Sequence, residues 1–94
     1  MAYAPHRSDL IKATLGPGAV LTLYREISGQ TWSRRVTPNE LLTPMEAAVA
    51  LQVHRVTMYD WIDKGLLRGY ESPHGTLLRW GEVYLFARNR GRPR

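Results

Sequence analysis

At 94 residues and 10.8 kDa the chain has room for one compact domain with short appendages, and its 44% apolar content excludes wholesale disorder. It contains no cysteine, which excludes disulfide frameworks, thiolate metal sites and cysteine nucleophiles. The net charge of +5 favours an anionic partner, and it is uneven: residues 1–42 carry +2, residues 43–87 carry −1 and residues 88–94 carry +4. No apolar run approaches the roughly 18 residues of a membrane helix, and the first residues do not read as a secretory leader. A soluble, unexported cytoplasmic protein is expected.

In chain order, Ser8 is positioned to cap a short helix through Leu15, which Gly16, Pro17 and Gly18 would stop. Ala19 to Ile27 and Thr31 to Val36 are rich in β-branched and aromatic residues around Ser28, Gly29 and Gln30, a pattern that predicts a hairpin with a three-residue loop. Thr43-Pro44-Met45-Glu46 is a capping box with proline at the first helical position, so a helix is predicted from Pro44. Ala47, Ala48 and Leu51 give it an apolar face, and the chain turns over Gln52 to His54.

A second helix is predicted from Arg55 to about Lys64, with Met58, Trp61 and Ile62 on one side and Gly65 as its stop. Val53, Met58, Trp61 and Ile62 are core candidates, since burial of each large apolar side chain gains roughly 1.5 to 3 kcal/mol. Leu66 to Glu71 and Thr76 to Trp80 read as strands around Ser72-Pro73-His74-Gly75, and Glu82 to Asn89 as a closing helix. Trp80, which joins this hairpin to the closing helix, is assigned to packing beneath the hairpin rather than to base stacking.

Helix, tight turn, helix, hairpin and helix is the order of a winged helix-turn-helix, whose second helix enters a major groove. The stretch LLTPMEAAVALQVHRVTMYDWIDKGLL resembles the MerR-like and excisionase-type helix-turn-helix family. The matches are Leu42, Thr43, Glu46, Ala47, Ala48, Leu51, Val53, Arg55, Thr57, Tyr59, Trp61, Ile62, Gly65 and Leu67. The expected fold is therefore α+β, a small winged helix-turn-helix at 41–87, preceded by an N-terminal extension at 1–40 and followed by a basic tail at 88–94. Gln52 stands where the family usually has a turn glycine and His54 where it has a small capping residue. Asp60 replaces a frequent basic residue, and Asp63 adds a second negative charge.

The resemblance implies that Arg55, Val56, Tyr59 and Asp60 face duplex DNA from the second helix. Arg55 can reach guanine O6 and N7 bidentately, Asp60 can accept from a cytosine amino group or serve as a solvated ion-pair partner, and the Tyr59 hydroxyl suits a phosphate. A reading unit of net charge −1 binds DNA weakly unless other segments supply cations. Arg68 and Arg79 on the predicted wing strands, Arg34 and Arg35 after the first hairpin, and Arg88, Arg90, Arg92 and Arg94 in the tail are the candidates. His74 at the wing tip is either a phosphate or minor-groove contact or a solvated turn residue. Arg90-Gly91-Arg92-Pro93 resembles the core of an AT-hook, the alternative being a basic arm without base preference.

The three histidines lack metal spacing, no phosphate-cradling loop or nucleophile elbow is present, and neither a cofactor, a metal nor an enzymatic activity is expected. The expected partner is double-stranded DNA, bound singly, as a homo-oligomer or cooperatively, by a transcriptional regulator or by an excisionase or other architectural factor. A protein-interaction module that uses Asp60 and Asp63 is the alternative of another class.

Overall fold

The computed structural model describes residues 10–90. Strands β1 (Leu10–Leu15), β2 (Leu21–Ile27) and β3 (Gln30–Val36) form one antiparallel sheet in the order β1-β2-β3. The second sheet holds β4 (Leu41–Leu42), β5 (Tyr70–Ser72) and β6 (Gly75–Arg79) in the order β4-β6-β5. Helices α1 (Pro44–Leu51), α2 (Arg55–Asp63) and α3 (Trp80–Arg90) complete an α+β fold of three α-helices and two small antiparallel sheets.

The helix expected from Ser8 to Leu15 is corrected: residues Leu10–Leu15 form β1, and Ser8 lies outside the described residues. Lys12 and Thr14 are exposed while Ala13 packs on the core, the two-residue alternation of a half-covered strand. The free edge of β2 supplies the ladder that overrides the local signals. The first hairpin turns over two residues rather than three, with Ile27 paired to Gln30. Ser28 and Gly29 have φ of 53° and 80°, both positive as a type I′ turn requires, so its twist matches that of the strands.

The capping box forms as the sequence predicts. Thr43 Oγ1 accepts from the Glu46 amide at 3.1 Å, and a Glu46 carboxylate oxygen accepts from the Thr43 amide at 2.8 Å. Helix α2 ends at Asp63 in a Schellman motif: the Gly65 amide donates to Ile62, the Leu66 amide to Trp61, and Gly65 takes φ of 76°. That closure consumes Leu66 and Leu67, so the strand expected from Leu66 begins only at Tyr70. The closing helix starts at Trp80, two residues earlier than expected. Its first amides, Trp80 and Gly81, donate to the Glu40 and Pro38 carbonyls at 3.0 and 2.8 Å, an anchor in a distant turn with no sequence signature.

One hydrophobic cluster joins all of this. Leu21, Leu23 and Val36 of the first sheet pack with Leu42, Met58 and Val83 of the segment that follows. The stretch expected as an extension thus contributes directly to the core under α1. Trp80 is 2% exposed, and its indole Nε1 donates to the Ala19 carbonyl at 2.6 Å, pinning the start of α3 to the β1–β2 connection. Trp61 meets Phe86 edge-to-face at 5.0 Å between centroids, which holds α2 against α3.

Candidate nucleic-acid interface

The turn between α1 and α2 fixes how α2 is presented. Gln52 adopts φ of 58° and ψ of 41°, the left-handed conformation that glycine would accept without strain. Its amide donates to Ala48 and Val49, and the Val53 amide to Ala48 at 3.0 Å, closing the end of α1. His54 then caps α2 through Nδ1, which accepts from the Val56 amide at 3.3 Å. With Gln52 and His54 at these positions a tight turn forms between α1 and α2.

On α2, Met58 is fully buried while Trp61 and Ile62 pack against the core. Helical periodicity places Val56, Tyr59 and Asp60 on the opposite side, whereas Arg55 stands at the first position of α2, in line with Met58 and Ile62; all four are exposed. Val56 and Tyr59 expose 63% and 48% of their surface, an apolar strip between a cation and an anion. Asp60 is paired with Lys64 at 3.0 Å, one turn on, so its charge is partly neutralised within α2.

The other expected contacts are spread over three places. Arg68 lies on the return from α2, not on a wing strand, with its guanidinium 5.0 Å from the Tyr70 ring. His74 is exposed at the tip of the β5–β6 turn, where the Ser72 hydroxyl accepts from its amide at 3.2 Å and donates to the Gly75 carbonyl at 2.7 Å. Arg79 is on β6 but at its root, donating to Asn39 Oδ1 at 2.9 Å. Tyr70 donates its hydroxyl to Glu82 at 2.6 Å, tying the β5–β6 hairpin to α3.

Arg88 and Arg90, expected in a basic tail, are residues of the last turn of α3. Arg88 is exposed and borders a groove beside Gln52. Arg90 stacks on two rings, 5.0 Å from Trp61 and 5.5 Å from Phe86, so the first arginine of the AT-hook-like stretch is held against the helices. Arg92 and Arg94 lie outside the described residues.

A buried anion escaped the sequence reading. Glu46, 4% exposed, also binds the guanidinium groups of Arg25 on β2 and Arg34 on β3, the latter at 3.2 Å. Arg34, counted above as a cation for DNA, is engaged inside the protein. Only the capping role of Glu46 was legible, because the two arginines come from strands 12 and 21 residues away. Arg35, on the other face of β3, is exposed.

Among the described residues, no group of three or more His, Asp or Glu side chains could hold a metal, and no helix is long and apolar enough to cross a membrane. Comparison with family models, curated proteins and solved structures gives no match to this chain.

Proposed function

We propose that this protein is a winged helix-turn-helix of the MerR-like and excisionase type that binds double-stranded DNA in the cytoplasm, with α2 in a major groove. The observation that carries the reading is the outward face of α2. Val56, Tyr59 and Asp60 project from a short helix whose opposite side is locked into the core, Arg55 is exposed at its first position, and the left-handed turn at Gln52 sets that helix against α1. A guanidinium for guanine, an apolar group for the thymine methyl and a hydroxyl for phosphate are the chemistry a major groove accepts. The β5–β6 hairpin follows as the wing, with His74 at its tip for the flanking backbone or minor groove.

Regulation of transcription is the job such a unit serves, and an excisionase or architectural factor would use the same contacts. Selection of bound duplexes from a random pool tests the reading. It predicts enrichment of a defined motif and an affinity that falls as salt rises, since cations displaced from phosphates are released on binding. Failure to bind duplex DNA at low salt would instead favour the protein-interaction reading, which the Val56–Tyr59 strip and the acidic Asp60 and Asp63 on α2 support.

A further inference from the structure

The first sheet ends in a long strand with an open edge. β3 pairs with β2 over seven residues without a register break, and among the described residues it has no second neighbour. Its residues from Gln30 to Arg35 are all exposed, and Trp32 shows 55% of its surface. The opposite edge differs, because β1 carries a register shift between Leu10 and Lys12, a device that blunts an edge.

The hairpin dictates which backbone groups are free. Ile27 and Gln30 close a two-residue turn as a hydrogen-bonded pair, and bonded and non-bonded pairs alternate from there. Gln30, Trp32, Arg34 and Val36 therefore bond to β2, whereas Thr31, Ser33 and Arg35 turn their amides and carbonyls to the open edge.

We propose that β3 docks a second copy of this chain, joining two three-stranded sheets into one six-stranded antiparallel sheet across a two-fold axis at Ser33. In that register Ser33 faces the partner's Ser33, and Thr31 and Arg35 face the partner's Arg35 and Thr31. All three edge-facing residues then exchange both of their backbone bonds. Trp32 falls opposite the partner's Arg34 in a non-bonded pair, where side chains come closest, so the ring covers a guanidinium that Glu46 already neutralises. Sliding the strands by one pair toward the turn sets Arg35 against the partner's Gly29 and loses a bonded pair. Sliding the other way sets Arg34 against the partner's Arg34. The Ser33 register alone keeps six backbone bonds without placing like charges opposite each other. A two-fold contact of this kind is self-complementary, as closed dimers require. The pairing does not rest on DNA binding, and its test uses none.

Sedimentation of the 94-residue chain over a range of concentrations up to the order of 10⁻⁴ M tests the proposal. The wild type is expected to form a dimer. Ser33→Pro is expected to be a folded monomer, because the Ser33 amide faces the open edge and its removal costs no bond to β2. Trp32→Ala should weaken the dimer about tenfold. Since the chain has no cysteine, Ser33→Cys places a single thiol on the axis and should cross-link rapidly on mild oxidation, whereas Thr31→Cys, opposite Arg35, should not. A wild type that stays monomeric, a dimer that a folded Ser33→Pro chain retains, or equal cross-linking of the two cysteine variants overturns the proposal. If Ser33→Pro does not fold, the cysteine pair decides.

Discussion

Replacing Glu46 is the most informative perturbation of the fold, because its carboxylate serves α1 and the first sheet at once. It accepts from the Thr43 amide at 2.8 Å and from the guanidinium groups of Arg25 and Arg34. Glu46→Ala removes half of the capping box, about 1 kcal/mol. It also leaves two cations without their anion. A fully buried pair broken this way would cost about 3–5 kcal/mol, but the Arg25 and Arg34 side chains are 32% and 48% exposed and can turn to water. The discounted sum is about 2–3 kcal/mol, or roughly 10–20 °C in Tm for a domain of this size. Thermal melts followed by circular dichroism measure it. Glu46→Gln keeps an acceptor for the Thr43 amide and should lose about half as much. Pairing Glu46→Gln with Arg34→Met in a double-mutant cycle should give a coupling above about 0.5 kcal/mol. A Glu46→Ala protein melting within about 2 °C of wild type would refute the reasoning.

Three further outcomes follow from the same geometry. Asp60→Lys should cost less than about 0.5 kcal/mol, since the Asp60–Lys64 pair is exposed, and should raise affinity for random duplex DNA in a binding titration. Truncation after Arg90 should leave the melt unchanged and make the slope of log affinity against log salt shallower by up to about 1.8, one increment for each of Arg92 and Arg94; truncation before Arg88 should also lower Tm by stripping Arg90 from Trp61 and Phe86. Gln52→Gly should stabilise by up to about 1 kcal/mol, measured by denaturant unfolding, because a residue with a Cβ pays to hold φ of 58°.

What the sequence revealed tracks how local the cause is. The capping box at Thr43 and Glu46, the stop at Gly65 and the core-facing stripe of buried Met58 with half-buried Trp61 and Ile62 each depend on residues within a turn or two, and each is present. Residues 10–15 read locally as a helix because Ser8 and the Gly16-Pro17-Gly18 stop resemble helix punctuation, while the reason for a strand is the edge of β2, several residues further on. The early start of α3 has the same character: the Glu40 and Pro38 carbonyls that receive its first amides come from a turn some 40 residues away in sequence. For the candidate site, Arg55, Val56, Tyr59 and Asp60 follow from the resemblance, and all four are exposed on α2. The fates of the other arginines were not legible, since Arg34 turns to Glu46, Arg79 to Asn39 and Arg90 to two rings.

Binding of a selected duplex by wild type, Arg55→Ala and Tyr59→Ala at rising salt is the most direct test of α2 as the docking helix. Both side chains are exposed on α2, and neither makes a hydrogen bond or ion pair with another described residue, so both variants should melt within a degree or two of wild type. The expected result is a wild-type affinity that declines linearly in log–log form with salt. Arg55→Ala should lose about 1–3 kcal/mol, roughly ten- to a hundredfold, with relaxed selectivity at one base position, and Tyr59→Ala should lose affinity evenly across sequences. Equal binding by all three proteins at every salt concentration would contradict the assignment of this face to DNA.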